Sequence, residues 1–176
     1  SHILQINDIK EERFNPMGVS DAELAALQAK KFAVMDDAIG EKMQERILQA
    51  KSELNSVGGV IEAIALHLPA GIGAPYFDSV ESMLSHALFS VPAVKGVEFG
   101  DGFGFAGLTG AEANDALHYV DGKVQALTNH NGGVTGGITN GMPLVVRVAI
   151  KPTPSIAREQ QTVSLKEQAD TTLAIV

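Results

Sequence analysis

Three apolar segments of the chain have the composition of β-strands. Residues 2–9 form the first, and the run from Val60 to Leu68 is apolar with few polar breaks, which is typical of a strand buried on both faces. The segment from Pro143 to Ile150 is rich in Leu, Val and Ile around one charged residue, Arg147. The pattern therefore predicts three strands that are separated by other elements.

Capping residues and helical periodicity predict three helices between these strands. Ser-Asp-Ala-Glu at the start of residues 20–29 is a capping box, so we expect a short helix there. Two aspartates and a stripe of apolar residues at helical spacing predict a second helix over residues 36–54. A third helix is expected over residues 78–90, with Asp78 or Ser79 as its cap.

Glycines recur in the segment Val94 to Phe105, at positions 96, 100, 102 and 104. In a strand, this spacing places all four on one face and leaves a flat strip without side chains. A helix packed closely against the sheet and a ligand that approaches the backbone explain such a strip equally well. Both interpretations stay open on the sequence alone.

Shorter elements complete the pattern. We expect a short helix over residues 111–117, a strand over residues 122–127, and a buried type of strand over residues 171–176. Strands and helices in this arrangement fit an α+β fold, although the pattern fits more than one such fold. With 176 residues and no linker, the chain is expected to form a single domain over residues 1–176.

Composition and charge narrow the possible functions. The net charge of -8 argues against a nucleic-acid surface, and no apolar run approaches the length of a membrane span. The absence of cysteine excludes disulfides and thiolate metal sites. No His, Asp and Glu cluster has metal-ligand spacing, so no metal is expected, and the signatures of serine hydrolases, phosphate-binding loops and dinucleotide-binding turns are missing. We expect neither a nucleic-acid nor a membrane partner.

The most unusual segment is residues 129–141, with the sequence Asn-His-Asn-Gly-Gly-Val-Thr-Gly-Gly-Ile-Thr-Asn-Gly. Five glycines in thirteen residues destabilise any regular element, and a chain accepts this where the backbone adopts positive φ or lies close to a ligand. Consecutive N–H groups in such a segment can form a concave anion site. The segment therefore predicts contact with a ligand, most simply one that carries phosphate.

Two charged or titratable residues accompany this segment. His130 either contacts a ligand or is hydrogen-bonded locally, and Lys151 either contacts an anion or extends into solvent at the end of a strand. Pro152 restricts Lys151 to an extended backbone, which suits an anion contact, but on the residues alone the two alternatives are equally supported. Glu98 and Asp101 resemble an acid/base pair, but a solvated or turn-capping role fits them better.

Several motifs together resemble chorismate synthase. They are Asn-His-x-Gly-Gly-x-x-Gly-Gly-Ile-x-x-Gly at residues 129–141, Lys-Pro-x-x-Ser at 151–155, Pro-Ala-Gly-Ile-Gly-x-Pro-x-Phe-Asp at 69–78, and Ser-Val-Pro-Ala-Val-Lys-Gly-Val-Glu-Phe-Gly-Asp-Gly-Phe at 90–103. Their order and length make the resemblance specific, and it covers the chain nearly end to end. The family fold that it implies is a layered sandwich of antiparallel β-sheets with helices packed between them.

The resemblance implies a function and a site. Chorismate synthases use reduced FMN to eliminate phosphate and a ring hydrogen from 5-enolpyruvylshikimate 3-phosphate in a 1,4-anti reaction, in the pathway to aromatic amino acids. The FMN-contacting residues carried over by motif are Pro92, Ala93, Gly136, Lys151, Pro152, Thr153, Pro154 and Ser155, with Asn129 and His130 as further candidates. The resemblance also implies a cytoplasmic homotetramer, and it leaves open whether NADPH reduces the flavin on the enzyme or an external reductase does so.

The chain lacks several motifs of the family, including the Gly-Glu-Ser-His-Gly motif that carries an acid/base histidine. We therefore expect an internal fragment that has no catalytic residue of its own and does not turn over substrate alone. The alternative is a structural or assembly module, in which the glycines serve packing and no ligand binds. Flavin binding discriminates the two hypotheses.

Overall fold

The computed structural model describes residues 1–175, which form three α-helices and eleven β-strands. The helices are α1 (Asp21–Ala29), α2 (Asp37–Ser52) and α3 (Val80–Phe89). The strands are β1 (His2–Ile6), β2 (Ile9–Lys10), β3 (Gly59–Ala65), β4 (Val94–Phe99), β5 (Leu117–Val120), β6 (Lys123–Ala126), β7 (Val134–Thr135), β8 (Ile138–Thr139), β9 (Leu144–Ile150), β10 (Gln160–Ser164) and β11 (Ala169–Leu173).

Five strands form the central antiparallel sheet, in the order β2-β1-β3-β9-β4. The other strands pair as three two-stranded hairpins, β5-β6, β7-β8 and β10-β11. This architecture confirms the predicted α+β fold with antiparallel sheets. No helix within residues 1–175 is long and apolar enough to cross a bilayer.

The two faces of the central sheet differ in polarity. On one face, Val134, Leu144 and Val146 form a buried apolar cluster, against which α3 packs its apolar residues. Because neighbouring residues of a strand point to opposite faces, Arg147 lies on the other face, where Glu62 and Glu98 are its cross-strand partners. The segment 11–16 runs along this second face, where the amide of Phe14 donates to Glu62.

The predicted helices form because their caps are satisfied locally. The Ser20 hydroxyl accepts from the Glu23 amide and the Glu23 carboxylate accepts from the Ser20 amide, which confirms the capping box at α1. Asp36 caps α2, and Ser79 rather than Asp78 caps α3. The three helices begin and end within a few residues of their predicted bounds.

Other predictions were wrong in informative ways. The strand expected over Val94 to Phe105 ends at Phe99, because Gly100 turns the chain with a φ of +54°, and a 3-10 helix follows over residues 102–107. The four glycines therefore do not share one face. Residues 111–117 form turns instead of a helix, and the strand expected over residues 2–9 is divided by a turn into β1 and β2.

Two strands differ from their predicted burial or length. β3 ends at Ala65 rather than Leu68, and only Glu62 within it is buried. The residues of β11 are exposed rather than buried, and they pair with β10 in a hairpin. The last residue of the predicted strand over 171–176 lies outside the described residues.

Candidate functional site

The glycine segment folds into a tight hairpin. Gly136 and Gly137 join β7 to β8 with φ angles of +60° and +86°, the combination that a two-residue type I′ turn requires. A Cβ on Gly137 would lie 2.7 Å from Cβ of Ser79, whereas a Cβ on Gly136 would meet no atom within 4 Å. Gly137 is therefore needed for packing against the start of α3, and Gly136 leaves an open backbone at the tip of the hairpin.

Asn129 fixes the start of this segment. Its side-chain nitrogen donates to the carbonyls of Pro16 and Pro143, each at 2.8 Å, and its side-chain oxygen accepts from the amide of Gly133 at 2.8 Å. The residue is 3% exposed. Since the hydrogen-bonding capacity of the buried amide is directed at the protein, Asn129 acts as a structural link in this conformation.

His130 is held by two aspartates. The ring Nδ1 lies 2.6 Å from Oδ2 of Asp101, and the His130 carbonyl accepts from the Asp101 amide at 2.7 Å. The His130 amide donates to the carboxylate of Asp115 at 2.7 Å. The local hydrogen bonding that the sequence left as one alternative for His130 is therefore present, and the ring is still 28% exposed.

Asp115 organises the segment that leads into the glycines. Its carboxylate also accepts from the amide and the side chain of Asn131, at 3.0 and 2.8 Å, and from the hydroxyl of Thr128 at 2.8 Å. Burial raises the pKa of Asp115, but hydrogen bonds from Asn131, His130 and Thr128 outweigh it and hold the pKa below its usual value. A cavity of about 540 Å³ beside Asp115 is lined by Asn131, Thr135 and Asn140, among others.

The Lys-Pro-Thr-Pro-Ser stretch lies against a second predicted ligand-contacting segment. The amide of Lys151 donates to the carbonyl of Ala93 at 2.9 Å, and the hydroxyl of Ser56 donates to the carbonyl of Thr153 at 2.7 Å. Ala93 has a φ of +72°, which is strained for a residue with a Cβ. Within residues 1–175, no carboxylate lies at ion-pair distance from the exposed Lys151, so its charge is available to an anion.

The ten predicted residues thus fall into separate groups. One group gathers at the end of β9 near Ile150 and contains Pro92, Ala93, Lys151, Pro152, Thr153, Pro154 and Ser155. Asn129 and His130 lie at the opposite end of β9, near Leu144, and Gly136 lies at the hairpin tip beside the start of α3. A seven-residue strand separates the two ends by about 20 Å.

Sequence reasoning missed a row of charged residues across the sheet. His2, Glu62, Arg147 and Glu98 are cross-strand partners on β1, β3, β9 and β4, so they occupy one row on one face. His2 lies 3.1 Å from Glu62 and also contacts Glu11, and Arg147 binds Glu62 at 3.0 Å, Glu98 at 2.5 Å and the carbonyl of Gly100. Arg147 and Glu62, each a single charge within a predicted apolar strand, were the signals of this row in the sequence.

The two glutamates in this row stay ionised for the same reason. Burial raises the pKa of Glu62, but bonds from His2, the Phe14 amide and Arg147 hold the pKa below its usual value. Burial likewise raises the pKa of Glu98, and Arg147 with the Phe103 amide outweighs it. Glu98 therefore caps the turn after β4 through the Phe103 amide, as the sequence predicts, and is in addition an ion-pair partner of Arg147. No group of three or more His, Asp or Glu residues within residues 1–175 is arranged to hold a metal ion.

Comparison with known proteins identifies the family. The family model described as chorismate synthase matches residues 1–176. A chorismate synthase of Thermococcus kodakarensis is 50% identical over 140 residues, which cover 80% of this chain and 39% of the relative. One of Lancefieldella parvula is 40% identical over 185 residues, covering 99% of this chain and 49% of the relative.

The structure agrees with the sequence comparison. A crystal structure of chorismate synthase superposes with a TM-score of 0.77 and 30% identity, covering 86% of this chain and 48% of that chain. The chain spans less than half the length of the curated relatives that it matches. With a family model that covers every residue and relatives at 40–50% identity, the chain belongs to the chorismate synthase family.

Proposed function

We propose that the intact protein carrying this sequence is a lyase of aromatic amino-acid biosynthesis that converts 5-enolpyruvylshikimate 3-phosphate to chorismate with reduced FMN. The observation that carries the proposal is the hydrogen bond between Lys151 and Ala93. It joins two segments, far apart in sequence, that the family resemblance assigns independently to the same flavin. Residues 1–176 contribute a single domain to this enzyme.

The residues present fit an FMN site. Lys151 is exposed and has no carboxylate partner within residues 1–175, and Thr153 and Ser155 beside it are exposed hydroxyl residues. The open hairpin tip at Gly136 leaves room that a Cβ would fill. When bound, reduced FMN supplies electron density transiently to the substrate and no net redox change results.

The chain's own contribution is binding and electrostatic. A lysine beside the flavin favours the reduced, anionic form, because an opposite charge nearby stabilises an anion. Pro152 and the Ala93 hydrogen bond hold the main chain of Lys151, so little ordering is needed when the ligand binds. The apolar face under α3 and the hydrogen bonds of Asn129 keep the surrounding backbone in place.

An anaerobic assay of chorismate formation tests the proposal directly. The 176-residue chain and the intact protein are each given reduced FMN and 5-enolpyruvylshikimate 3-phosphate. We expect turnover by the intact protein only, because the chain matches 39% and 49% of the lengths of the two relatives described above. Inactivity of both proteins would contradict the proposal, and turnover by the 176-residue chain would contradict the expectation that it is inactive alone.

The second hypothesis, a structural or assembly module with glycine-rich packing segments, is supported by Gly132 and Gly137, which lie against other backbone and side-chain atoms. Binding of reduced FMN by the intact protein would contradict a purely structural role. The homotetramer and the cytoplasmic location that the family resemblance implies stay predictions, which sedimentation and cell fractionation test.

A further inference from the structure

The side chain of Asp101 has one partner within residues 1–175. It occupies the N-cap position of the 3-10 helix over residues 102–107 but makes no capping hydrogen bond. Its carboxylate instead lies 2.6 Å from Nδ1 of His130. The contact joins the turn after β4 to the start of the glycine segment, which are 29 residues apart.

The main chain already holds these two segments together without that side chain. The Asp101 amide donates to the His130 carbonyl at 2.7 Å, and the Gly100 amide donates to the carbonyl of Val145 at 3.1 Å. Asp115 binds the His130 amide from the other side. The Asp101 carboxylate is therefore not required to bring the segments together, and its specific effect is on the imidazole ring.

A carboxylate at Nδ1 determines which ring nitrogen carries the proton. An ionised carboxylate only accepts hydrogen bonds, so Nδ1 of His130 must be the donor. In the neutral ring this leaves Nε2 as a bare acceptor, and in the protonated ring it leaves Nε2 as a donor. No atom of residues 1–175 hydrogen-bonds to Nε2, and the ring is 28% exposed, so this nitrogen is available to a ligand.

We propose that Asp101 is a positioning residue, which orients His130 and fixes its tautomer so that Nε2 makes a hydrogen bond to the bound ligand of the glycine segment. This inference rests on the proposed function for the ligand, reduced FMN, and extends it to a residue outside the motif-derived site. Asp101 and Asp115 are the carboxylates that face His130 from the elements packed against it.

Nitrogen NMR of the intact protein with ¹⁵N-labelled histidine tests whether Asp101 fixes the tautomer of His130. A series of spectra at increasing pH identifies the neutral form of the ring, in which the two nitrogen shifts report the tautomer. We expect His130, assigned with His130→Gln, to carry its proton on Nδ1 in the parent and to lose this preference in Asp101→Ala. The matched control Asp170→Ala removes an exposed carboxylate from β11 and should leave the spectrum unchanged.

A double-mutant cycle on the binding of reduced FMN tests whether Asp101 acts on the ligand through His130. Asp101→Ala and His130→Ala should each weaken binding roughly fivefold, about 1 kcal/mol by the constant that relates affinity to free energy. If Asp101 acts only through the His130 ring, Asp101→Ala in the His130→Ala background should cause no further loss of FMN affinity. If the two residues act independently, the two losses of binding free energy should add.

Each outcome decides the inference. Loss of the tautomer preference together with a non-additive cycle supports it. An unchanged tautomer in Asp101→Ala overturns it, as do additive losses or no loss of FMN affinity. If the parent does not bind reduced FMN, both the proposed function and the contact between His130 and FMN are wrong. The tautomer spectrum then shows separately whether Asp101 fixes the tautomer of His130.

Discussion

Glu62 and Arg147 face each other across β3 and β9, with the carboxylate Oε1 3.0 Å from the guanidinium Nη1. Arg147 is 3% exposed and Glu62 is fully buried. His2 and Glu98 extend the row on either side, so basic and acidic side chains alternate across four strands. This face thus combines complete charge pairing with apolar packing, because the buried ring of Phe14 lies 4.3 Å from the ring of His2.

Replacing Arg147 should therefore lower the free energy of unfolding by more than the loss of an exposed charge does. Arg147→Ala leaves Glu62 buried without its cation, and removal of one partner of a buried pair costs about 3–5 kcal/mol of unfolding free energy. Arg147→Lys keeps the charge but cannot reach Glu62, Glu98 and the Gly100 carbonyl together, so we expect an intermediate loss. Urea denaturation measures both variants.

The exposed Arg158 provides the matched control for this prediction. Arg158→Ala should change the unfolding free energy by less than about 0.5 kcal/mol. Equal losses in Arg147→Ala and Arg158→Ala would show that the row of charges contributes nothing specific to stability.

The carboxylate of Asp115 should make the glycine segment sensitive to acid. Its pKa in the folded protein is below the usual value of 3.8, so ionisation favours the folded state. This contribution is complete well above pH 3.8 and is lost as the pH falls through 3.8 toward the folded pKa. The pKa values of Glu62 and Glu98 are also lowered, so acid removes their contributions to stability as well. The effect of Asp115 must therefore be measured as the difference in unfolding free energy between the parent and a variant of Asp115.

Asp115→Asn isolates that difference. At neutral pH the variant should lose about 1–3 kcal/mol, because one acceptor oxygen becomes a donor that faces the amide of either His130 or Asn131. Toward pH 3 the gap between parent and variant should narrow, since the parent loses the same stabilisation by protonation. A gap that stays constant from neutral to acid pH would contradict the assignment; stability is followed by chemical denaturation at each pH.

The elements that were predictable depend on neighbouring residues in the sequence. The caps of α1 and α3 use hydroxyl groups within three residues of the amides that they bind. The helix predicted over residues 111–117 does not form, although Thr109 and Glu112 make the hydrogen bonds of a helix cap. It stops after one turn because Asp115 is bound by residues 128–131, a distant contact that no local pattern reports.

The grouping of some candidate site residues was predictable as well, because each motif is a run of neighbouring residues. The motif resemblance pointed to the segments around Ala93 and Lys151, which the structure brings into contact. It gave no indication of the row formed by His2, Glu62, Arg147 and Glu98, since their pairing depends on strand register between residues up to 85 positions apart. The contact of Asp101 with His130 was not predicted, because the two residues are 29 positions apart in the sequence.

Two glycines of the same segment should respond differently to a methyl group. Gly132→Ala and Gly136→Ala share positive φ angles of +61° and +60°, which cost about 1–2 kcal/mol for an alanine. A Cβ on Gly132 would also lie 2.3 Å from the amide nitrogen of Gly100, whereas one on Gly136 meets nothing. We expect Gly132→Ala to lose about 3–5 kcal/mol and Gly136→Ala only about 1–2 kcal/mol.

A ligand contact at Gly136 would reverse the importance of these two positions. If Gly136 contacts FMN, the intact Gly136→Ala protein stays folded but binds reduced FMN more weakly than its stability loss explains. Thermal unfolding and fluorescence titration of the flavin measure the two effects separately. Unchanged FMN affinity in a folded Gly136→Ala protein would favour the structural hypothesis for this glycine.

The strained backbone of Ala93 should tolerate only small side chains. Ala93→Val places a β-branched residue at a φ of +72°, and we expect a loss about 2 kcal/mol larger than in Ala111→Val, an exposed turn position with ordinary φ. Ala93→Gly should fold normally, because glycine adopts this φ without strain. Similar melting temperatures for Ala93→Val and Ala111→Val would contradict the prediction.

Lys151 should matter for affinity and not for folding. In the intact protein, Lys151→Ala is expected to weaken the binding of reduced FMN roughly tenfold and that of oxidised FMN less, because the reduced flavin carries the additional negative charge. Lys166→Ala, which removes an exposed lysine between β10 and β11, is the matched control. Anaerobic titration with reduced FMN measures both, and equal affinities for the parent and Lys151→Ala would remove Lys151 from the site.

The length of β9 restricts the size of what this chain can hold. Its two ends carry the Lys151 group and the pair of Asn129 and His130, and a hydrogen-bonded strand cannot shorten without breaking its ladders to β3 and β4. A molecule that contacts both ends at once must therefore extend over about 20 Å along the sheet.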